Sequence, residues 1–460
     1  MPKPRKFFES IFFLLVKYKL NLILSIVIIF NIRERRRDSL DYRFFSRPRK
    51  RVTILALDSK RYRGDLDVLS RHDGFRVLHL SQSTPGWLVK LFLKEGNLEY
   101  YLGSNASPEA CDDMRNALNF MRGFLGKLYS ILSVDCVTTV NYRYIEDYCW
   151  AKTSNDMGVK YIMLYRECMF AVDRIYDMSL DRTKRYGQFH GAHIIVHNSK
   201  CKQMLLDANY CKSSQVTVAG ALRMDGLINK INKSFASTDN KRKKFVLFYF
   251  PHNMSLFGGG GKIRISDPMC GKYPYHYSVW EDRIKLFTKL HSIILELAIQ
   301  NPDIDFVIKP KMKWVGHISW DIYKEICNSH GVNGGLPNYV VDPNADVHNL
   351  ILSSDIICAL QSSVVLESML AGKRVIFPLF FDYMNSDHYN DFAYKDNIEL
   401  FDIAENSTKF KSLFYQILEN PYVADEIMDK RYKLFKTHFN QVTTTALDRY
   451  VETIYDIVRS

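Results

Sequence analysis

The feature that most constrains this chain is an alternation that occurs twice. Short apolar runs of strand length are separated by longer stretches with helical periodicity, and one polar interval divides the two series. In the first series the runs are Val52 to Leu57, FRVLHL ending at Leu80, DCVTTV, YIMLY, AHIIVHN and QVTVAG. Between them, Met114, Leu118, Met121, Leu125 and Leu128 recur at helical spacing. The second series opens with KFVLFYF, ending at Phe250, and continues through IDFVIK, YVVD, DIICAL and RVIFPLF. Its long helix is expected from about Trp280 to Gln300, with Ile284, Phe287, Leu290, Ile294 and Leu297 on one stripe. A helix from Ser362 to Ala371 and a helical end from about Tyr422 complete it. Continuous apolar runs alternating with helices imply parallel sheets covered on both faces.

The fold expected is therefore α/β: two Rossmann-like domains facing a cleft, with an N-terminal membrane-associating helix. The boundaries expected are a basic hydrophobic segment over 1–50, a first domain over 51–227, a linker over 228–244, a second domain over 245–436 and a C-terminal helix over 437–460 that could pack back on the first domain. The linker assignment rests on INKINKSFASTDNKRKK, which lacks apolar periodicity.

At 47% hydrophobic and 25% charged residues the balance is that of a globular protein, which excludes wholesale disorder and a polytopic membrane protein. The net charge is +13, but residues 1–51 hold 14 basic and 4 acidic side chains and so account for +10 of it. The body is nearly neutral, which argues against nucleic acid as a partner. Nine scattered cysteines with no CxxC read as reduced thiols in a cytosolic compartment.

Ile11 to Phe30 is a 20-residue apolar stretch interrupted by Lys17, Lys19 and Asn21 and flanked by basic clusters. Arginines, not a small-residue cleavage site, follow it, so it does not read as a cleaved signal peptide. It reads as an anchor to an anionic membrane surface through residues 1–51, peripheral or single-pass, with the body on the cytoplasmic face of a bacterial inner membrane. The alternative is a surface helix docked on the globular body.

In open parallel sheets, ligands bind beyond the carboxyl ends of strands, and the polar residues of interest lie there. In Ser353 to Pro378 a buried strand runs into the turn Gln361, Ser362, Ser363, then into a helix ending at Gly372. N–H groups and serine hydroxyls at a helix start suit a phosphate. Glu367, one turn on, could accept from ribose hydroxyls. Plain capping by Ser362 or Ser363, with Glu367 on a solvated face, fits the spacing equally.

This segment resembles the donor-binding half of GT-B glycosyltransferases of the bacterial surface-polysaccharide and capsule type, which are related to CDP-glycerol glycerophosphotransferases. Those families carry a strand, a Ser-Ser turn, a helix with Glu, then AGKPVI.P; here Arg374 stands at the Pro position. The likeness spans roughly Arg51 to Lys436 and is strongest from Asp305 to Pro378. It implies a nucleotide-sugar donor as substrate, held by the second domain, and a glycan or lipid-linked acceptor at the first. It implies no cofactor and no metal.

Residue by residue, DFVIKPK resembles a KPHP-like motif, so Lys309 and Lys311 would face the phosphates, Lys311 replacing the His. VAGALRMDG resembles VTG.PR.D, placing Arg223 and Asp225 at the hinge or donor; a structural Arg–Asp pair is equally compatible. LYRECMF resembles a Y.E segment, making Glu167 the candidate base and Arg166 a charge stabiliser, against a plain ion pair between them. In PHNMSLFGGGGK, Gly259 and Gly260 could cradle a phosphate and His252 contact the donor, although a surface loop explains the glycines as well. His190, His193 and His197 are splayed by the strand they lie on, and no metal site is expected. Trp87, Trp314 and Trp320 could stack on sugar.

The resulting expectation is a glycosyltransferase acting on a surface polysaccharide. A CDP-polyol phosphotransferase fits the Ser-Ser–helix–Glu segment too. A catalytically degenerate scaffold is the non-enzymatic rival. A sugar-nucleotide 2-epimerase shares the two-domain plan, but its DSGG-type signature is absent.

Overall fold

The computed structural model describes residues 14–15, 18, 20–35, 41–43, 51–81, 84–96, 98–103, 106–170, 172–234, 242–249, 279–310, 318–332, 335–360, 362–381, 383–385, 389, 392–440 and 445–460. They form two compact units. One comprises Met1–Met169, Asp177–Ile228 and His438–Ser460; the other comprises Phe170–Tyr176 and Asn229–Thr437.

The first unit is built on an eight-stranded sheet of order β2-β1-β4-β3-β5-β6-β7-β8. Its parallel strands are β3 (Val52–Ala56), β4 (Phe75–His79), β5 (Cys136–Thr139), β6 (Lys160–Leu164), β7 (His193–Val196) and β8 (Val216–Val218). Ile54 pairs with Val77 on one side and Cys136 on the other, and all three side chains are buried. Two antiparallel strands, β1 (Arg33–Arg35) and β2 (Asp41–Arg43), extend the β4 edge. Residues 33–43 therefore belong in part to the sheet, whereas the sequence suggested one membrane-associating segment over 1–50. Their pattern is too short and too charged to announce a strand, and backbone pairing with β4 supplies what side-chain periodicity does not.

The helix Pro108–Leu132 starts at Ser107, whose hydroxyl accepts from the Ala110 N–H at 3.2 Å, with proline at the first helical position. It buries Met114, Met121, Phe124, Leu125 and Leu128, while Leu118 lies at the margin of that face. A second helix, Asn21–Ile29, docks on it through Leu24, Ser25 and Ile28. The approach is close: a side chain at Gly123 would meet the Asn21 amide. Among the described residues no helix is long and apolar enough to cross a membrane.

The second unit carries a six-stranded, wholly parallel sheet of order β11-β10-β9-β12-β13-β14. These strands are β9 (Lys244–Tyr249), β10 (Asp305–Pro310), β11 (Tyr339–Val341), β12 (Ile356–Ala359), β13 (Val375–Pro378) and β14 (Asp402–Ala404). The helix Val279–Gln300 buries Phe287, Leu290, Ile294 and Leu297. Phe245, Phe306 and Phe414 pack ring to ring within 5.4 to 5.9 Å. Arg374, the departure from the AGKPVI pattern, has a local reason: its guanidinium grips both carboxylate oxygens of Asp402 on β14 and donates to the Asn420 carbonyl.

The stretch proposed as a linker begins as helix instead. Leu222–Ser234 is helical, and β9 starts at Lys244. Asp225, in the first turn of that helix, accepts from the N–H groups of Ala446 and Leu447 at 2.8 and 3.0 Å. It thereby caps the final helix, Leu447–Arg459, which buries Tyr450 and Ile454 in the first unit's core.

Candidate functional site

In the second unit the polar residues gather at the carboxyl edge of the sheet. β12 ends at Ala359, and Ser362 takes extended geometry (φ −157°, ψ 167°) before the helix Ser363–Leu370. Its hydroxyl accepts from the Val364 N–H at 3.2 Å, so the capping role is realised. The Tyr394 hydroxyl donates to the Ser362 carbonyl at 3.1 Å and fixes the turn. At the far end Gly372, with φ +70°, closes the helix: Lys373 donates to the Ser368 carbonyl and Gly372 to that of Met369.

Glu367 is not on a solvated face. It is 4% exposed, and its Oε2 lies 3.4 Å from Nε2 of His348. His348 comes from the helix Val347–Ser353, whose N-cap Asp346 accepts from Asn349 at 2.8 Å. Burial, with the Glu367 charge added, pushes the Tyr394 hydroxyl well above its ordinary range. A buried carboxylate is costly unless polar groups surround it.

Lys309, at the end of β10, does not extend freely from the sheet. Its ammonium donates to the carbonyls of Pro310 at 3.1 Å and Pro343 at 2.8 Å. Burial lowers its pKa, opposed by Asp342. It ties the ends of β10 and β11 together, a local task that a phosphate-facing role would have to share. β10 and β12 flank β9, and Lys309 and Ala359 are both level with Phe248, so Lys309 and the end of β12 stand two strand spacings apart, roughly 10 Å. Lys311, Gln361, His252, Gly259, Gly260 and Trp314 lie outside the described residues.

The first unit gathers charge at the same edge of its own sheet. After β3, Asp58 adopts φ +55°, and Arg61 follows. The Arg61 guanidinium pairs with Asp58 and Glu146, each at 2.8 Å, and reaches Asp147 at 3.7 Å. It also lies 3.9 Å from the ring centre of the exposed Tyr144. Asp147 is the farthest of the three acids from the guanidinium. Burial pushes it up to about 8, against the pull of Arg61.

After β6, Glu167 is exposed, whereas Arg166 turns inward. Arg166 donates to the Arg61 carbonyl at 2.6 Å and lies 3.2 Å from Asp65. The pair weighed between Arg166 and Glu167 is thus replaced by one with Asp65, because Asp65 is buried and needs a cation. Burial brings Arg166 down to about 10, Asp65 opposing. Asp225 caps the final helix, and the Arg223 guanidinium lies 5.5 Å from the Phe439 ring centre. His193 bonds Thr217 at 2.9 Å, and burial drives His197 well below its ordinary value. Among the described residues no group of three His, Cys, Asp or Glu side chains could hold a metal.

Sequence reasoning passed over Asp58, Arg61, Glu146, Asp147 and His348. Asp58 carried a signal, an acid directly after the first apolar run, but nothing local showed that Glu146 and Asp147 would meet it.

No protein-family model matches this chain, and no curated protein matches it. Solved structures do. The UDP-GlcNAc 2-epimerase from Methanocaldococcus jannaschii is 11% identical, with a TM-score of 0.48 over 88% of this chain and 99% of its own. That from Neisseria meningitidis, bound to UDP-GlcNAc, is 14% identical, with a TM-score of 0.44 over 88% and 100%. A UDP-forming α,α-trehalose-phosphate synthase from Burkholderia vietnamiensis is 9% identical, with a TM-score of 0.45 over 89% and 99%. At these values none of them assigns an activity to this chain.

Proposed function

We propose that this chain is a glycosyltransferase of the GT-B type, moving a sugar from a nucleotide-activated donor to an acceptor hydroxyl. The observation that carries the reading is Glu367. A carboxylate is kept buried one turn inside a helix that starts at the carboxyl edge of a parallel sheet. Such a group matches the paired hydroxyls of a ribose, while the N–H groups of the helix start match a diphosphate.

In the reaction the acceptor oxygen bonds to the anomeric carbon and the bond from that carbon to the phosphate oxygen breaks. The acceptor proton goes to Glu167, the exposed carboxylate after β6. Charge growing on the leaving nucleotide is met by the start of the Ser363–Leu370 helix. We place the acceptor among lipid-linked surface polysaccharides, on the likeness of Ser353 to Pro378 to enzymes of that class.

The test is thermal denaturation with CMP, CDP, UDP and GDP. One nucleotide should stabilise the chain, by about 2.7 kcal/mol at a hundredfold excess over its Kd. Glu367→Gln, nearly isosteric, should weaken that stabilisation while the unliganded protein stays folded. No shift with any nucleotide, or an equal shift in Glu367→Gln, would refute the donor site. Mass analysis of the transferred group separates a sugar from a polyol phosphate, and turnover without acceptor would indicate epimerisation instead.

A further inference from the structure

The Asn21–Ile29 helix has two apolar faces, and the fold uses one of them. Leu24, Ser25 and Ile28 are buried against Pro108–Leu132, with the Ser25 hydroxyl bonded to the Asn21 carbonyl at 2.8 Å and the Phe124 carbonyl at 3.3 Å. On the opposite side Leu22, Ile23, Ile26 and Phe30 are 44 to 61% exposed. At 100° per residue these four fall in one sector about 100° wide. A helix docked on a globular body ordinarily turns charged or polar side chains outward. This one turns a second apolar face outward.

We propose that this face inserts into the interfacial layer of an anionic lipid bilayer, with the helix lying along the membrane and not across it. Charge complementarity selects this occupant. Residues 1–51 carry 14 Lys and Arg against 4 Asp and Glu, while the other 409 residues are nearly neutral. The basic excess therefore sits in the same segment as the apolar face. A second copy of the chain fits poorly, because four side chains fall far short of the ~20–30 residues a side that a stable interface engages. Equal basic segments would also repel across a symmetric contact. The docked face argues against a span, since Leu24 and Ile28 would have to leave the protein core for the helix to enter lipid end-on. This inference is independent of the donor site.

The experiment is vesicle flotation of the full chain. The protein should float with phosphatidylcholine–phosphatidylglycerol vesicles, much less with phosphatidylcholine alone, and binding should weaken as salt rises. The double substitution Ile23→Ser with Ile26→Ser should reduce binding roughly tenfold. Ile299→Ser, at an exposed isoleucine of the second unit, should leave it unchanged. Both variants should keep the parent's melting temperature, because neither touches a buried side chain. Carbonate at high pH should release the protein from membranes. Failure to float with anionic vesicles would overturn the proposal, as would equal flotation of the double variant, resistance to carbonate, or a dimer that the double variant dissolves.

Discussion

Arg61 shows what a single side chain organises in this protein. It satisfies Asp58 and Glu146 directly and leaves Asp147 farther away at 3.7 Å, with the Thr139 hydroxyl donating to its other oxygen at 2.8 Å. Three acids around one guanidinium would carry a net charge of −2 if all were ionised, and the most buried of them keeps its proton. The folded chain holds that proton up to about pH 8, whereas the unfolded chain releases it near the ordinary carboxylate value of about 4. Stability from this residue is therefore fully present below about pH 4 and is lost progressively as pH rises to about 8. Asp147→Asn should flatten the dependence of the urea midpoint on pH across that window; a profile parallel to the parent's would contradict the assignment. Residues of this kind were the least legible in the sequence. Ser362 could be read as a cap because capping is a local rule. The environments of Glu367, Lys309 and Arg166 could not, because His348, the Pro343 carbonyl and Asp65 reach them from distant segments.

At the scale of elements, legibility followed length and burial. β3, β9, β12 and β13 are continuous apolar runs buried in the sheets, and such runs announce themselves. β1, β2 and β14 are three residues each, carry charge, and sit at sheet margins where backbone pairing does the specifying. The Asp225 cap belongs to this scale as well. Asp225→Ala leaves the N–H groups of Ala446 and Leu447 without their acceptor and should destabilise the first unit by about 2 kcal/mol. Asp225→Asn, which keeps one acceptor oxygen, should lose less. A melting temperature unchanged in the alanine variant would show that the final helix needs no cap.

For the molecule as a whole, two parallel-sheet units with separate hydrophobic cores allow a ligand to report where it binds. A nucleotide held at the Ser363–Leu370 helix should increase hydrogen-exchange protection first in β10, β12 and that helix. Protection confined to the strands of the first unit would move the donor site there. The Asp225 cap has a further consequence for how the polypeptide is made. The first unit lacks its closing helix until Leu447–Arg459 has emerged from the ribosome, after Asn229–Thr437 of the second unit has been synthesised. A nascent chain must therefore keep a complete sheet with an uncovered core from aggregating while a later unit is translated. A premature stop past Thr437 would spare the later domain and strand the earlier one, so damage at the tail would surface as misfolding at the head.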